Sequence, residues 1–105
     1  MTIQINTGEN LENNARTKEY YSDLVNENLD RFTEYLTRVE VHMADVNAGK
    51  SGPADKKCTI EARMSGRDPI AVTAQDEKVE KAFNAALGKV KASMTTIVGK
   101  MQEKR

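Results

Sequence analysis

The apolar positions of this chain switch between a period of two and a period of about 3.6, and each switch marks an element. Over residues 1–6, Ile3 and Ile5 alternate with Thr2, Gln4 and Asn6, the pattern of a half-buried strand. Gly8 ends it, inside the turn-forming run Thr7-Gly8-Glu9-Asn10. Asn13 or Asn14 then offers a helix N-cap. Tyr21, Val25, Leu29, Phe32 and Leu36 follow at helical steps, with Leu24 and Tyr35 widening the stripe, and predict one helix ending near Thr37. Its other side is acidic: Glu19, Asp23, Glu27, Asp30 and Glu34. Alternation returns at Val39, Val41 and Met43 against Glu40, His42 and Ala44, a second strand. After the Gly/Ser/Pro loop NAGKSGPAD (residues 47–55), Cys58, Ile60, Ala62 and Met64 alternate with Thr59, Glu61 and Arg63. Ser65 to Pro69 reads as a short hairpin connection, and Ile70, Val72 and Ala74 form a fourth strand.

The longest periodic stretch comes last. Val79, Ala82, Phe83, Ala86, Val90, Met94, Ile97 and Met101 fall on one helix face, with Asp76 as the expected N-cap. Gly88 and Gly99 interrupt this helix at up to about 1 kcal/mol each relative to Ala, and two accounts stay open, close packing against a neighbour or fraying of the last turns. The order is β-α-β-β-β-α. The fold class is α+β: a four-stranded mixed sheet with two helices packed on one face, in a single domain over residues 1–105. The open sheet face would carry Thr2, Gln4, Glu40, His42, Thr59, Glu61, Arg63 and Thr73.

Charge changes this picture more than composition does. The 105 residues hold 16 bases and 16 acids, a net of zero. Residues 1–48 carry nine acids and four bases (−5), residues 49–75 three and five (+2), and residues 76–105 four and seven (+3). No apolar run approaches a membrane span, no basic-then-apolar leader opens the chain, and a single Cys58 excludes an internal disulfide. A cytoplasmic, monomeric protein with no membrane partner is expected.

Catalytic or cofactor chemistry finds little support. His42 with Glu40 and Glu61 makes a thin metal set, and a solvated sheet face explains the three better. Cys58 falls on the apolar side of its strand and reads as a small buried hydrophobe. Gly49-Lys50-Ser51 resembles a phosphate loop, but position 44 is Ala44 and a proline and an acid follow. No enzyme, cofactor or metal is expected. What remains is cationic. Lys78, Lys89 and Lys100 are spaced by three helical turns and line up beside the apolar stripe, with Lys104 beyond, Lys81 on the other shoulder and Lys91 further round. Lys56, Lys57, Arg63 and Arg67 add basic character outside that helix. Two readings stay open: lysines that keep an amphipathic helix soluble, or a phosphate-binding row. No aromatic residue is interleaved for base stacking, so binding would read backbone and shape.

The IQIN strand, LDRFTEYL in the first helix, RVEVHMADVN, KKCTIEAR and PIAVTAQDEKVEKAFNAALGKVK, in this order, resemble the ribosome hibernation-promoting factor and ribosome-associated inhibitor A family of S30Ae type. The resemblance covers nearly the whole chain. It implies a translation inhibitor that binds ribosomal RNA in the messenger and transfer RNA channel of the small subunit. Such proteins stabilise idle ribosomes in stress or stationary phase, and no DNA partner is expected. The chain resembles the short form, without the carboxy-terminal domain of long members. Lys89 matches the family's helix lysine, Lys78 and Lys81 lie at the helix start, and Lys91 and Lys100 fall where relatives are densely basic. Ala92, Thr95, Thr96 and Gly99 depart from that density. The alternative is a protein-binding module that uses the acidic first helix or the open sheet face.

Overall fold

Four strands and two helices form where the pattern changes, in the order expected. A computed structural model describes residues 1–8, 11–46 and 55–103, with Glu103 described by its backbone alone. The loop at 47–54, with Lys50, and the terminal Lys104 lie outside the described residues. The elements are β1 (Thr2–Thr7), α1 (Ala15–Leu29), a 3-10 turn (Asp30–Phe32), β2 (Leu36–Asp45), β3 (Lys56–Met64), β4 (Ile70–Asp76) and α2 (Val79–Glu103). The sheet runs β1-β2-β3-β4. β1 and β2 are parallel, because α1 crosses over between them, and the other neighbours are antiparallel.

The apolar side of every strand meets the helix layer. Val39, Val41, Cys58, Ile60 and Ala62 are fully buried beneath Val25 and Leu29 of α1 and Ala82, Phe83, Ala86, Val90 and Met94 of α2. Tyr21 and Phe83 join the helices, ring centroids 4.7 Å apart. Asn14 caps α1, accepting from the Thr17 N–H at 2.9 Å. The Met64–Arg67 turn places Gly66 at φ +75°, the left-handed region that a side chain would strain.

Three expectations need correction. The first helix does not reach Thr37: it ends at Leu29, and Leu36 opens β2. The Asp30 carbonyl accepts from both the N–H and the hydroxyl of Thr33, and the Phe32 carbonyl accepts from the Tyr35 N–H, so the chain turns. Phe32 and Leu36 are buried as expected, but from a turn and a strand. A bulge at Thr37 then resets the β2–β3 register. Asp76 stands one step back from α2: its Oδ1 accepts from the Lys78 N–H at 3.3 Å, two residues ahead of the first N–H groups of the helix that a cap would cover. It closes β4 opposite Lys56, and the first turn of α2 hangs from the Lys78 carbonyl, which accepts from Ala82. Gly88 and Gly99 are not close-packing sites: a Cβ at either meets nothing within 4 Å.

Candidate nucleic-acid interface

Lys78, Lys81, Lys89, Lys91 and Lys100 are all exposed on α2, and the helix geometry sorts them. With Phe83, Val90 and Met94 buried in the core, Lys78, Lys89 and Lys100 share one shoulder as expected; Lys81, expected on the other shoulder, lies instead near the outer crest, and Lys91, expected further round, takes that shoulder. Two contacts fix which shoulder faces what. Lys89 Nζ donates to the Thr73 carbonyl at 2.7 Å, so the three-lysine shoulder overhangs β4, the last strand of the sheet. On the far shoulder Thr95 accepts from Arg31 at 2.7 Å, beside α1. Glu80, also on that side, together with burial, raises the phenol pKa of Tyr20, burial being the larger cause.

Lys89 therefore has a structural task, covering an acceptor on an edge strand. An ammonium has three donors, so two remain for a ligand. Among the described residues none of the five α2 lysines forms an ion pair.

The other four cations are not gathered with them. Lys56 lies 2.9 Å from Asp55 and 3.5 Å from Asp45, and the hydrogen bond to Asp55 leads in raising its pKa. It pins the sheet's end rather than facing a ligand. Arg63 lies on the open face, 2.7 Å from Glu61 and 3.9 Å from Glu40, and Arg38 holds Glu40 at 3.1 Å. The hydrogen bond from Arg38 is the main reason the Glu40 carboxyl is held below its ordinary range. Lys57 lies two residues before Thr59 and so shares the open face with it. Arg67 is exposed in the β3–β4 turn, at the end of the domain that the second half of α2 runs past.

Sequence reasoning missed Arg38, because the helix assigned through Thr37 hid the start of β2. Its two-residue offset from Glu40 was the available signal. His42 lies 3.7 Å from Glu40, and its Nδ1 is 3.3 Å from the Asn6 amide, inside this polar mesh. Among the described residues no cluster of three or more His, Cys, Asp or Glu is placed to hold a metal ion. Burial pushes the Cys58 thiol up to about 12, which makes it a poor nucleophile. The arrangement is suited to holding anions along a line.

The model for the family described as sigma 54 modulation protein / S30EA ribosomal protein matches residues 3–102. The chain belongs to that family. Among solved structures, the fold is similar to the N-terminal domain of Protein Y from Thermus thermophilus. That match has a TM-score of 0.72 at 20% identity and covers 92% of this chain and 99% of that one. It is also similar to a ribosomal subunit interface protein from Coxiella burnetii, with a TM-score of 0.66 at 14% identity, covering 94% and 99%. At these identities the two structures speak for the fold alone. No curated protein matches the sequence.

Proposed function

We propose that this chain is a non-enzymatic, ribosome-associated hibernation factor. It binds ribosomal RNA in the messenger and transfer RNA channel of the small subunit, inhibits translation, and stabilises idle ribosomes under stress or in stationary phase. The observation that carries the reading is the α2 shoulder of Lys78, Lys89 and Lys100, without ion-pair partners among the described residues, on a chain of the S30EA family. The name of the Coxiella burnetii neighbour, a ribosomal subunit interface protein, supports the ribosome as partner.

The mechanism follows from the geometry. Three ammonium groups spaced by about 16 Å along a rigid helix meet phosphate oxygens of folded RNA, with Lys81 on the outer crest and Arg67 in the β3–β4 turn adding charge beside that line. Each contact releases condensed counterions, so binding weakens steeply with salt. The domain body then fills the space a transfer RNA would need. No bond is made or broken, and the working compartment is the cytoplasm.

Cosedimentation with purified small subunits over a salt series tests this. Lys78→Glu, Lys89→Glu and Lys100→Glu together should abolish retention at low salt, and single changes should each lower the log–log salt slope by about 0.7–0.9. Circular dichroism checks that the variants fold. Unchanged retention of the folded triple variant would overturn the proposed surface.

A further inference from the structure

The sheet has two outer strands, and only one of them is covered. β4 lies under α2, and Lys89 occupies a carbonyl there. β1 pairs with β2 alone among the described residues. Its sequence, TIQINT, holds no charge and no proline, and its register with β2 runs without a bulge. Those are the devices that normally keep an edge strand from pairing. One hydrogen bond fixes the direction of its main-chain groups. The Gly8 N–H, just past Thr7, donates to the Met43 carbonyl at 2.8 Å and so points to β2. By alternation Asn6, Gln4 and Thr2 also turn their N–H and C=O groups to β2, and Ile3, Ile5 and Thr7 turn theirs outward.

An edge of this kind is complementary to itself. An antiparallel second copy can set Ile3 opposite the partner's Ile5, Gln4 opposite the partner's Gln4 and Thr7 opposite the partner's Met1. Both Ile3–Ile5 pairs then exchange their N–H···O=C bonds about the two-fold axis, and their side chains meet on the helix side of the sheet. Ile3 is only partly buried in the single chain, so the joint removes apolar surface from water. The helix above does not oppose this. The Tyr20–Glu80 contact turns one side of α1 to α2. On the opposite shoulder, over β1, the helical period places Lys18, Ser22 and Asn26, while Glu19 and Asp23 fall on the outward crest. α1 runs antiparallel to β1, as a crossover between parallel strands must. The two-fold axis therefore sets the Lys18 end of one α1 beside the Asn26 end of the other. The one charge on that shoulder meets neutral acceptors and the negative end of a helix instead of a second cation. We propose that two copies of this chain join edge to edge through β1, so that two four-stranded sheets become one. The two-fold contact is closed and consumes the free edge of both copies. The lysine shoulders stay exposed at the far ends of the joined sheet, so the inference does not depend on the ribosomal reading, and the expected monomer is the dilute form.

Sedimentation velocity on the full chain from about 10 µM to about 1 mM spans weak association. The sedimenting species should grow from monomer to dimer and stop there. Amide hydrogen exchange by NMR over the same series should show protection that rises with concentration at Ile3, Ile5 and Thr7, with Gln4 and Asn6 already protected in the monomer. Raised salt should leave the dimer intact, because the joint carries little charge. Ile3→Lys puts a charge into the joint, and Thr7→Pro removes an outward N–H without touching the β1–β2 ladder. Each should weaken dimerisation about tenfold or more, with circular dichroism showing that the variants fold. A chain that stays monomeric to about 1 mM overturns the proposal. So does a dimer without added protection at Ile3 and Ile5, or one undiminished in both folded variants. A dimer that dissolves in salt also overturns it, since the α2 lysines would then be binding the acidic crest of another α1.

Discussion

Three glycines of this domain should respond in opposite directions to the same substitution. Gly88 and Gly99 lie inside α2, and a Cβ at either meets nothing within 4 Å. Alanine there brings no clash, lowers the entropy of the unfolded chain, and should stabilise by about 0.5–1 kcal/mol per site. The two sites are about 16 Å apart along the helix, so their effects should add. Together they should raise the melting temperature by roughly 4–15 °C for a domain of this size. Gly66 also has open space around it, but its φ is +75°. Gly66→Ala should therefore destabilise by about 1–2 kcal/mol through backbone strain alone. Urea unfolding of the wild type, Gly66→Ala, Gly88→Ala, Gly99→Ala and the Gly88/Gly99 double variant measures all of this, with slopes checked for constancy. A loss of stability in Gly88→Ala would refute the reasoning, since it would mean that a neighbour needs the space.

Phe83 is fully buried against Tyr21, and Phe83→Ala should cost about 3–5 kcal/mol, read as a lower urea midpoint. Cys58, with its thiol pushed up to about 12, should resist alkylation at pH 8 in the native state and react once the chain is unfolded. The folded state also keeps a proton that the unfolded state loses from about pH 9.0 upward. Stability should therefore fall as pH rises through that range, by up to about 1.4 kcal/mol per pH unit. Cys58→Ala should flatten that slope, and an unchanged slope would exclude the thiol as its source.

The strand faces and both amphipathic stripes were legible because each element has one buried side, and period alone reveals that. The end of α1 was not, because Phe32 and Leu36 satisfy helical spacing while facing the core from a turn and a strand. What stopped the helix was hydrogen bonding by Thr33, which competes locally with helix continuation. Leu87 and Val98 are buried on α2 but lie off the chosen stripe, on the side facing α1 and the 3-10 turn, which a single row does not reveal. The five lysines of α2 were legible as a group. That Lys56 and Arg63 spend their charge on neighbouring carboxylates was not, since Asp45 and Glu40 come from another strand and the pairing depends on a register shifted at Thr37.

The early end of α1 also has a kinetic consequence. β2, β3 and β4 pair with neighbours close in the chain, and their meander can form with short loop closures. β1 must meet β2 across a separation of 36 residues, as in Thr2 with Arg38, and the second half of α2 is tied to Arg31 across 64. Contacts of that range carry the larger closure entropy. The meander and the first turns of α2 therefore make the natural nucleus, while the edge strand and the far half of the last helix join afterwards. Substitutions at Ile60 should slow folding, whereas those at Ile5 or Val98 should act mainly by speeding unfolding.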